Sequence, residues 1–348
     1  MKILYGVPGE GMGHATRSKV VISHLLKTHD VRVVSSAHAF TFLKSAFPGR
    51  VIPIKGFHLA FKNAQVHRYK TAASILKNGP LNLIQNFEKY RALRKSFSPD
   101  LVISDFESFS FLFAHRHKIP LISIDNMQII NRCLLDIPIP KNEKVNFQIA
   151  KNIIKSKVPG CKRYFVSSFF NPVIKKDNTL LVPPILRDEI INAGIKHKNH
   201  ILVYQTSQNQ SNIVRILNKI PKETFLVYGF NKSASLKNVR LKPFSEDEFI
   251  TDLASSKAII ANGGFSLISE AVFLHKPVCA VPLHNQFEQF LNAAYIEHAG
   301  YGRNFREFTT DGIRAFLYQL DDFTKSVKKY SQDGNKELFL HLDRFLQQ

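Results

Sequence analysis

The chain has 348 residues, 44% of them hydrophobic and 22% charged, which excludes a disordered, collagenous or coiled-coil protein and leaves room for two domains. No apolar run approaches the ~20 residues of a membrane span, and the opening Met1-Lys2-Ile3-Leu4-Tyr5-Gly6-Val7 meets Pro8-Gly9 too early for a signal peptide. Cys133, Cys161 and Cys279 lie far apart and encode neither a disulfide framework nor a zinc site, so a reducing cytoplasm is expected. The net charge is +21, and residues 1–180, with 28 basic and 10 acidic side chains, hold +18 of it. Such a field attracts a polyanion, an anionic lipid surface or a phosphorylated substrate, unless it is only a solvated face.

Aliphatic, β-branched runs alternate with helical stretches, the pattern of βαβ units and an α/β fold. Strands are predicted at Lys2–Val7, Val31–Ser35, Val51–Ile54, Leu101–Ser104, Leu121–Ile124 and Tyr164–Ser167, with helices at His14–Lys27 and around Leu81–Lys95. A second set is predicted at Ile201–Tyr204, Phe225–Tyr228, Val239–Leu241, Ala258–Ile260 and Val278–Val281. Between the sets, Asn171-Pro172 and Leu181-Val182-Pro183-Pro184 read as a stiff crossover. The expected plan is a first domain over 1–170, a crossover over 171–199, a second domain over 200–333 and a C-terminal helix over 334–348, with Leu338, Leu342 and Phe345 seeking a surface.

The first strand runs into Pro8-Gly9-Glu10-Gly11-Met12-Gly13-His14. Gly11 and Gly13 let backbone approach a ligand at a helix N-terminus, a geometry suited to an anion or a sugar hydroxyl. The spacing is neither that of a dinucleotide fingerprint nor that of a P-loop. His14 sits at the carboxyl edge of the sheet, where open parallel sheets bind ligands, and serves there either as a base or as a helix cap. Asp105 and Glu107 follow strand Leu101–Ser104 and emerge at the same edge; Asp105 is the better partner for the imidazole. Asp125 and Asn126 end the next strand and suit an acceptor pocket, although each acidic residue fits loop capping equally well.

In the second half, Ala261-Asn262-Gly263-Gly264-Phe265-Ser266 leads from a strand into a helix whose free amides suit a diphosphate. Ser266 and Glu270 share one helix face while Leu267, Ala271 and Leu274 form another, and a glutamate so placed accepts from vicinal ribose hydroxyls. Gln286, Glu288, Gln289 and Asn292 offer the mixed donors and acceptors that a sugar ring requires.

These residues resemble the GT-B nucleotide-sugar glycosyltransferases, most closely family 28, which includes the N-acetylglucosaminyltransferase of peptidoglycan lipid synthesis. The resemblance implies two Rossmann-like domains with parallel sheets facing across a cleft, the acceptor on the first and a UDP-sugar on the second. It implies ribose binding by Glu270, diphosphate binding by Gly263, Gly264 and Ser266, and sugar binding by Glu288 and Gln289. It also implies a phosphate loop at Ser207 and Gln208, where the family's glycines are missing, and a nucleobase site at Lys242-Pro243-Phe244.

The implied function is inverting transfer of an N-acetylhexosamine or hexose to a lipid-linked, glycolipid or cell-envelope glycan acceptor, with His14 as base. No D-x-D triplet occurs, so no metal is expected, and no cofactor beyond the UDP-sugar co-substrate. Two alternatives stand beside it: a non-hydrolysing sugar-nucleotide epimerase of the same fold, and a polyanion or nucleic-acid binder. The basic half argues against the first and the lack of a recognisable module against the second, so no nucleic-acid partner is expected. The expected partner surface is instead an anionic membrane at the cytoplasmic side, with Phe57-His58-Leu59-Ala60-Phe61-Lys62 either inserted there or packed in the core.

Overall fold

The computed structural model describes residues 1–9, 11–56, 61–62, 65–66, 86, 88–196, 198–205 and 210–348. Of the candidate membrane segment Phe57–Lys62, residues 57–60 lie outside them. The chain divides into two compact units, one formed by Met1–Phe61, Val66–Ile185 and Asn335–Gln348 and the other by Lys62–Gln65 and Leu186–Gly334.

The first unit contains β1 (Lys2–Gly6), α1 (Met12–Leu25), β2 (Asp30–Ser35), α2 (Ala37–Ala46), β3 (Val51–Pro53), β4 (Leu101–Ser104), α3 (Ser108–His117), β5 (Leu121–Asp125), α4 (Lys144–Lys157), β6 (Arg163–Ser167) and β7 (Thr179–Val182). These seven strands form one parallel sheet in the order β7-β6-β5-β4-β1-β2-β3. Strand order reverses at β1, whose Gly6 lies beside Val34 of β2 and Ser104 of β4. The central strands are apolar on both faces because helices cover both, so β4 and β5 are buried at every position.

The second unit repeats the plan with β8 (His200–Tyr204), α5 (Gln210–Leu217), β9 (Thr224–Tyr228), β10 (Ala234–Leu236), β11 (Val239–Leu241), α6 (Glu246–Ser255), β12 (Ala258–Ala261), α7 (Phe265–Phe273), β13 (Val278–Ala280), α8 (Phe287–His298), β14 (Gly302–Asn304), α9 (Thr310–Tyr318) and α10 (Leu320–Val327). Its order is β10-β11-β9-β8-β12-β13-β14, with only β10 antiparallel, and the reversal falls at β8 between β9 and β12. Both sheets therefore carry the doubly wound Rossmann order, in which ligands bind outside the carboxyl ends of the strands where the order reverses.

Two features differ from the expected plan. Residues through Ile185 belong to the first unit, and the expected crossover contains β7, an edge strand paired with β6. The last helix, α11 (Lys336–Leu346), returns to the first unit, where Leu338 and Leu342 join the core around Ile3, Val31 and Phe165. There His24 stacks on Phe339 with centroids 3.9 Å apart, and its Nε2 meets Asp343 Oδ1 at 2.8 Å. Among the described residues no helix is long and apolar enough to cross a membrane.

Candidate active site

In the first unit the chain leaves β1 and turns into α1 through Gly11, which caps the helix at φ 82°, a conformation that favours glycine. The first turns of α1 then present His14, Arg17 and Ser18 at i, i+3 and i+4, on one face. That face meets Asp105, the residue after β4, at the reversal of strand order. Asp105 is wholly buried. Its Oδ1 lies 3.0 Å from His14 Nδ1 and accepts from Arg17 Nη2 at 2.5 Å, while Oδ2 accepts from Arg17 Nε and Ser18 Oγ, both at 2.9 Å. Arg17 extends the network by donating from Nη1 to Asn126 Oδ1 at 2.6 Å.

Burial alone would raise the Asp105 carboxyl, but the positive charge of Arg17 and the contact with His14 hold it down at about 2. A carboxyl depressed in the folded state contributes stability that is present above its unfolded value, near 3.8, and lost as pH falls towards 2. The shift corresponds to about 2 kcal/mol. Urea denaturation of Asp105→Asn and the parent at pH 7 and pH 3 checks this, with the parent expected to lose about 1 kcal/mol more by pH 3, where the loss is only part complete.

The imidazole has two competing neighbours. If His14 Nδ1 carries the proton and donates to Asp105, Nε2 is the basic atom. Arg17 Nη2 also lies 2.7 Å from Nδ1, and since a guanidinium has only donors, that contact suits the opposite tautomer. Base chemistry at Nε2 therefore belongs to the state in which Asp105 holds the Nδ1 proton. His14 is the accessible member, with a fifth of its side chain exposed.

Two residues expected on the acceptor side have their carboxylates engaged within the fold. Glu107 is buried and caps α3, accepting from Phe109 N and Ser110 N, each at 2.7 Å. Asp125 is buried and accepts from Ser123 Oγ at 2.5 Å and Gln128 N at 2.8 Å. Burial raises both carboxyls, and both accept from backbone amides. Asn126 remains beside the His14 network through Arg17, and Gly13 lies within the first turn of α1.

In the second unit Gly263 follows β12 at φ 95°, and a Cβ there would stand 2.8 Å from Gln289 O. Asn292 Nδ2 donates to Gly263 O at 3.0 Å, so α8 clamps the loop against its own first turns. Gly264 caps α7 without a side chain, with open space where its Cβ would be. The helix thus opens toward any anion placed before it. Ser266 is half-buried on the first turn.

Glu270 is buried on the second turn of α7, where Arg187 Nε and Nη2 donate to its two oxygens, both at 2.8 Å. The third arm of Arg187, Nη1, reaches Glu246 Oε1 at 2.6 Å. Burial disfavours the guanidinium charge, but the two carboxylates raise the Arg187 pKa. A carboxylate has about four lone-pair sites, so a bidentate arginine leaves capacity for two further donors.

Gln289 Oε1 accepts from Leu283 N at 3.0 Å and ties the 281–286 loop to α8, while Gln286 and Glu288 are half-buried at the start of that helix. Phe244 is 56% exposed after β11, with its ring 5.7 Å from that of Phe249. Ser207 and Gln208 lie outside the described residues. Gln205, which follows β8 and was not anticipated as a site residue, is fully buried, and neither amide atom has a partner among the described residues.

The model of the family described as glycosyl transferase family 1 matches residues 1–321. The chain belongs to glycosyl transferase family 1. Two uncharacterised glycosyltransferases, from Methanosarcina acetivorans and Methanosarcina mazei, are each 24% identical to it, covering 87% of this chain and 85% of the relative. Among solved structures, the calicheamicin glycosyltransferase CalG4 superposes with a TM-score of 0.68 at 17% identity, covering 100% of this chain and 98% of that one. Phytolacca americana UGT2, solved with UDP-2fluoro-glucose and pterostilbene, does so with a TM-score of 0.69 at 13% identity and 98% coverage of each.

This family 1 chain is a glycosyltransferase of the GT-B fold, as the sequence led us to expect. Arg17, Ser18, Arg187 and Glu246 were not anticipated around the expected residues. Only the helical spacing from His14 to Arg17 and Ser18 carried a signal for the first two.

Proposed function

We propose that this glycosyltransferase moves an N-acetylhexosamine or hexose from a UDP-sugar to a lipid-linked, glycolipid or cell-envelope glycan acceptor, with inversion and without a metal. The donor motif is read as working as in the family 28 enzymes that it resembles. The observation that carries the reading is the His14 imidazole placed 3.0 Å from buried Asp105 at the ligand-binding edge of its sheet. In the reaction, His14 Nε2 takes the proton of an acceptor hydroxyl as that oxygen bonds to the anomeric carbon. The bond from that carbon to the diphosphate breaks and its electrons leave with UDP. Amides at the start of α7 face the departing charge, Glu270 receives the ribose hydroxyls, and Asp105 stabilises the imidazolium.

A uridine donor is supported by Phytolacca americana UGT2, whose structure holds a UDP-sugar analogue. An acceptor at an anionic membrane surface is supported by the charge of +18 within residues 1–180. Thermal shift with free nucleotides and nucleotide sugars tests the donor, since a ligand bound only by the folded state raises the melting temperature. UDP and a UDP-sugar are expected to stabilise the protein, ADP and GDP to do so far less. No response to any nucleotide would overturn the donor reading, and an anomeric product of retained configuration would overturn single displacement.

A further inference from the structure

Helix α4 is held to the first unit along one side only, with Ile154 buried and Phe147 and Ala150 half-buried beside it. The opposite side presents Val145, Ile149 and Ile153, four residues apart and 60%, 38% and 50% exposed. A second apolar surface stands on the antiparallel pair of Cys133–Leu134 with Val173–Ile174, where Leu134, Val173 and Ile174 are 51%, 66% and 44% exposed.

The turn at 128–132 joins the two surfaces. Gln128 Nε2 donates to Ile154 O of α4 at 3.4 Å, Lys175 N donates to Arg132 O at 2.9 Å, and Lys176 Nζ donates to Asn131 Oδ1 at 2.7 Å. Six exposed aliphatic side chains gathered on two linked elements exceed the scattered apolar residues of an ordinary surface.

Lysines border these side chains. Lys144, Lys151 and Lys155 line one flank of the α4 stripe, and Lys175 and Lys176 follow the exposed strand. None of the five is ion-paired with an acidic side chain among the described residues. Lys176 is lowered first by burial and then by the charges of Arg132, Lys155, Lys151 and Lys175, all of which act on its ammonium.

We infer that this face, α4 with the Val173–Ile174 strand, seats the protein on an anionic lipid surface, the aliphatic side chains entering the interface and the lysines meeting lipid phosphates. Nucleic acid fits less well because, among the described residues, no exposed ring stands on this face as a stacking platform; Phe147 is half-buried with Lys151 Nζ 5.3 Å from its centroid. A second copy of the chain would bring like charges together. The inference rests on the reading of a membrane-held acceptor, but its test needs neither donor nor acceptor.

The test is co-sedimentation with phosphatidylcholine vesicles, with and without phosphatidylglycerol, at low and high salt. The full chain should pellet only with phosphatidylglycerol vesicles, and salt should release it. Lys151→Gln/Lys155→Gln/Lys175→Gln should weaken partitioning about fivefold per lysine and about a hundredfold together. Ile149→Ser/Ile153→Ser should weaken it at every salt concentration.

Both variants should keep the parent's thermal shift with UDP, which separates this inference from the donor reading. Failure of the parent to bind the anionic vesicles, or binding by both variants equal to the parent, overturns it. Salt-sensitive binding to duplex DNA without vesicle binding overturns it in favour of nucleic acid, and a dimer abolished by the serine changes in favour of self-association.

Discussion

The variant His14→Ala is expected to lose transfer by about 10²–10⁴-fold while keeping its affinity for UDP and for the UDP-sugar. The effect is large because the proposed acceptor is a hydroxyl, a weak nucleophile until a base removes its proton in the transition state. The alanine also leaves Asp105 its other donors, Arg17 Nε and Nη2 and Ser18 Oγ, so the buried carboxylate stays paired and the first unit should still fold. Initial rates of UDP release at saturating donor, beside titration of UDP binding, separate chemistry from affinity. Transfer by His14→Ala at the parent's rate would show that another group takes the proton. Asp105→Asn should fall between the two, since the amide neither selects the Nδ1–H tautomer nor stabilises the imidazolium. Its rate should also depend on pH in a different range from the parent's.

The strands were legible where aliphatic residues recur at buried positions, on both faces of a central strand or on one face near an edge. Leu101–Ser104 and Val239–Leu241 stand as predicted, and most others differ by a single residue. The missed strands lie at the sheet edges. Thr179–Val182 ends against Pro183-Pro184 and has only its terminal residues buried, so it resembled a linker. Gly302–Asn304 has no strand-forming composition; it is admitted because glycine allows close approach, a Cβ at Gly302 standing 1.8 Å from Val278 O. The domain supporting α11 could not be read because an amphipathic helix announces that it needs a partner, never which one.

The candidate site was legible to the same depth. Strand ends located His14 and Asp105, because a parallel sheet delivers its following residues to one edge. Strand ends favoured Asp105 as the imidazole's partner but left Glu107 and Asp125 as acceptor-side candidates, since all three stand at or just past a strand end. What divides them is whether nearby backbone amides claim the carboxylate, as at Phe109, Ser110 and Gln128. The arginines were harder. Arg187 meets Glu270 across 83 residues of chain, and no local pattern encodes that pairing.

That pairing makes Glu270 the second large effect. Glu270→Ala leaves the Arg187 guanidinium, 13% exposed, without its bidentate partner and with only the surface-facing Glu246. Removal of one member of a buried pair is expected to cost about 3–5 kcal/mol. In a unit of this size that lowers the melting temperature by about 10 °C. Loss of charge-assisted bonds to the ribose is expected to weaken UDP binding by about 10- to 100-fold.

One variant therefore loses both stability and affinity, and Arg187→Met/Glu270→Ala tells the causes apart. Removing the cation with the anion should restore most of the melting temperature, because no buried charge is left unpaired. It should not restore UDP affinity, because the acceptor of the hydroxyl bonds is still missing. If affinity returned with stability, Glu270 would serve only to pair Arg187, and the ribose would have to be held elsewhere on α7. If Arg187→Met alone weakened UDP binding as much as Glu270→Ala, the arginine would act by holding the carboxylate in the orientation that accepts vicinal hydroxyls. Arg187→Lys would then rescue poorly, since a point charge cannot fix a carboxylate plane as a bidentate guanidinium does.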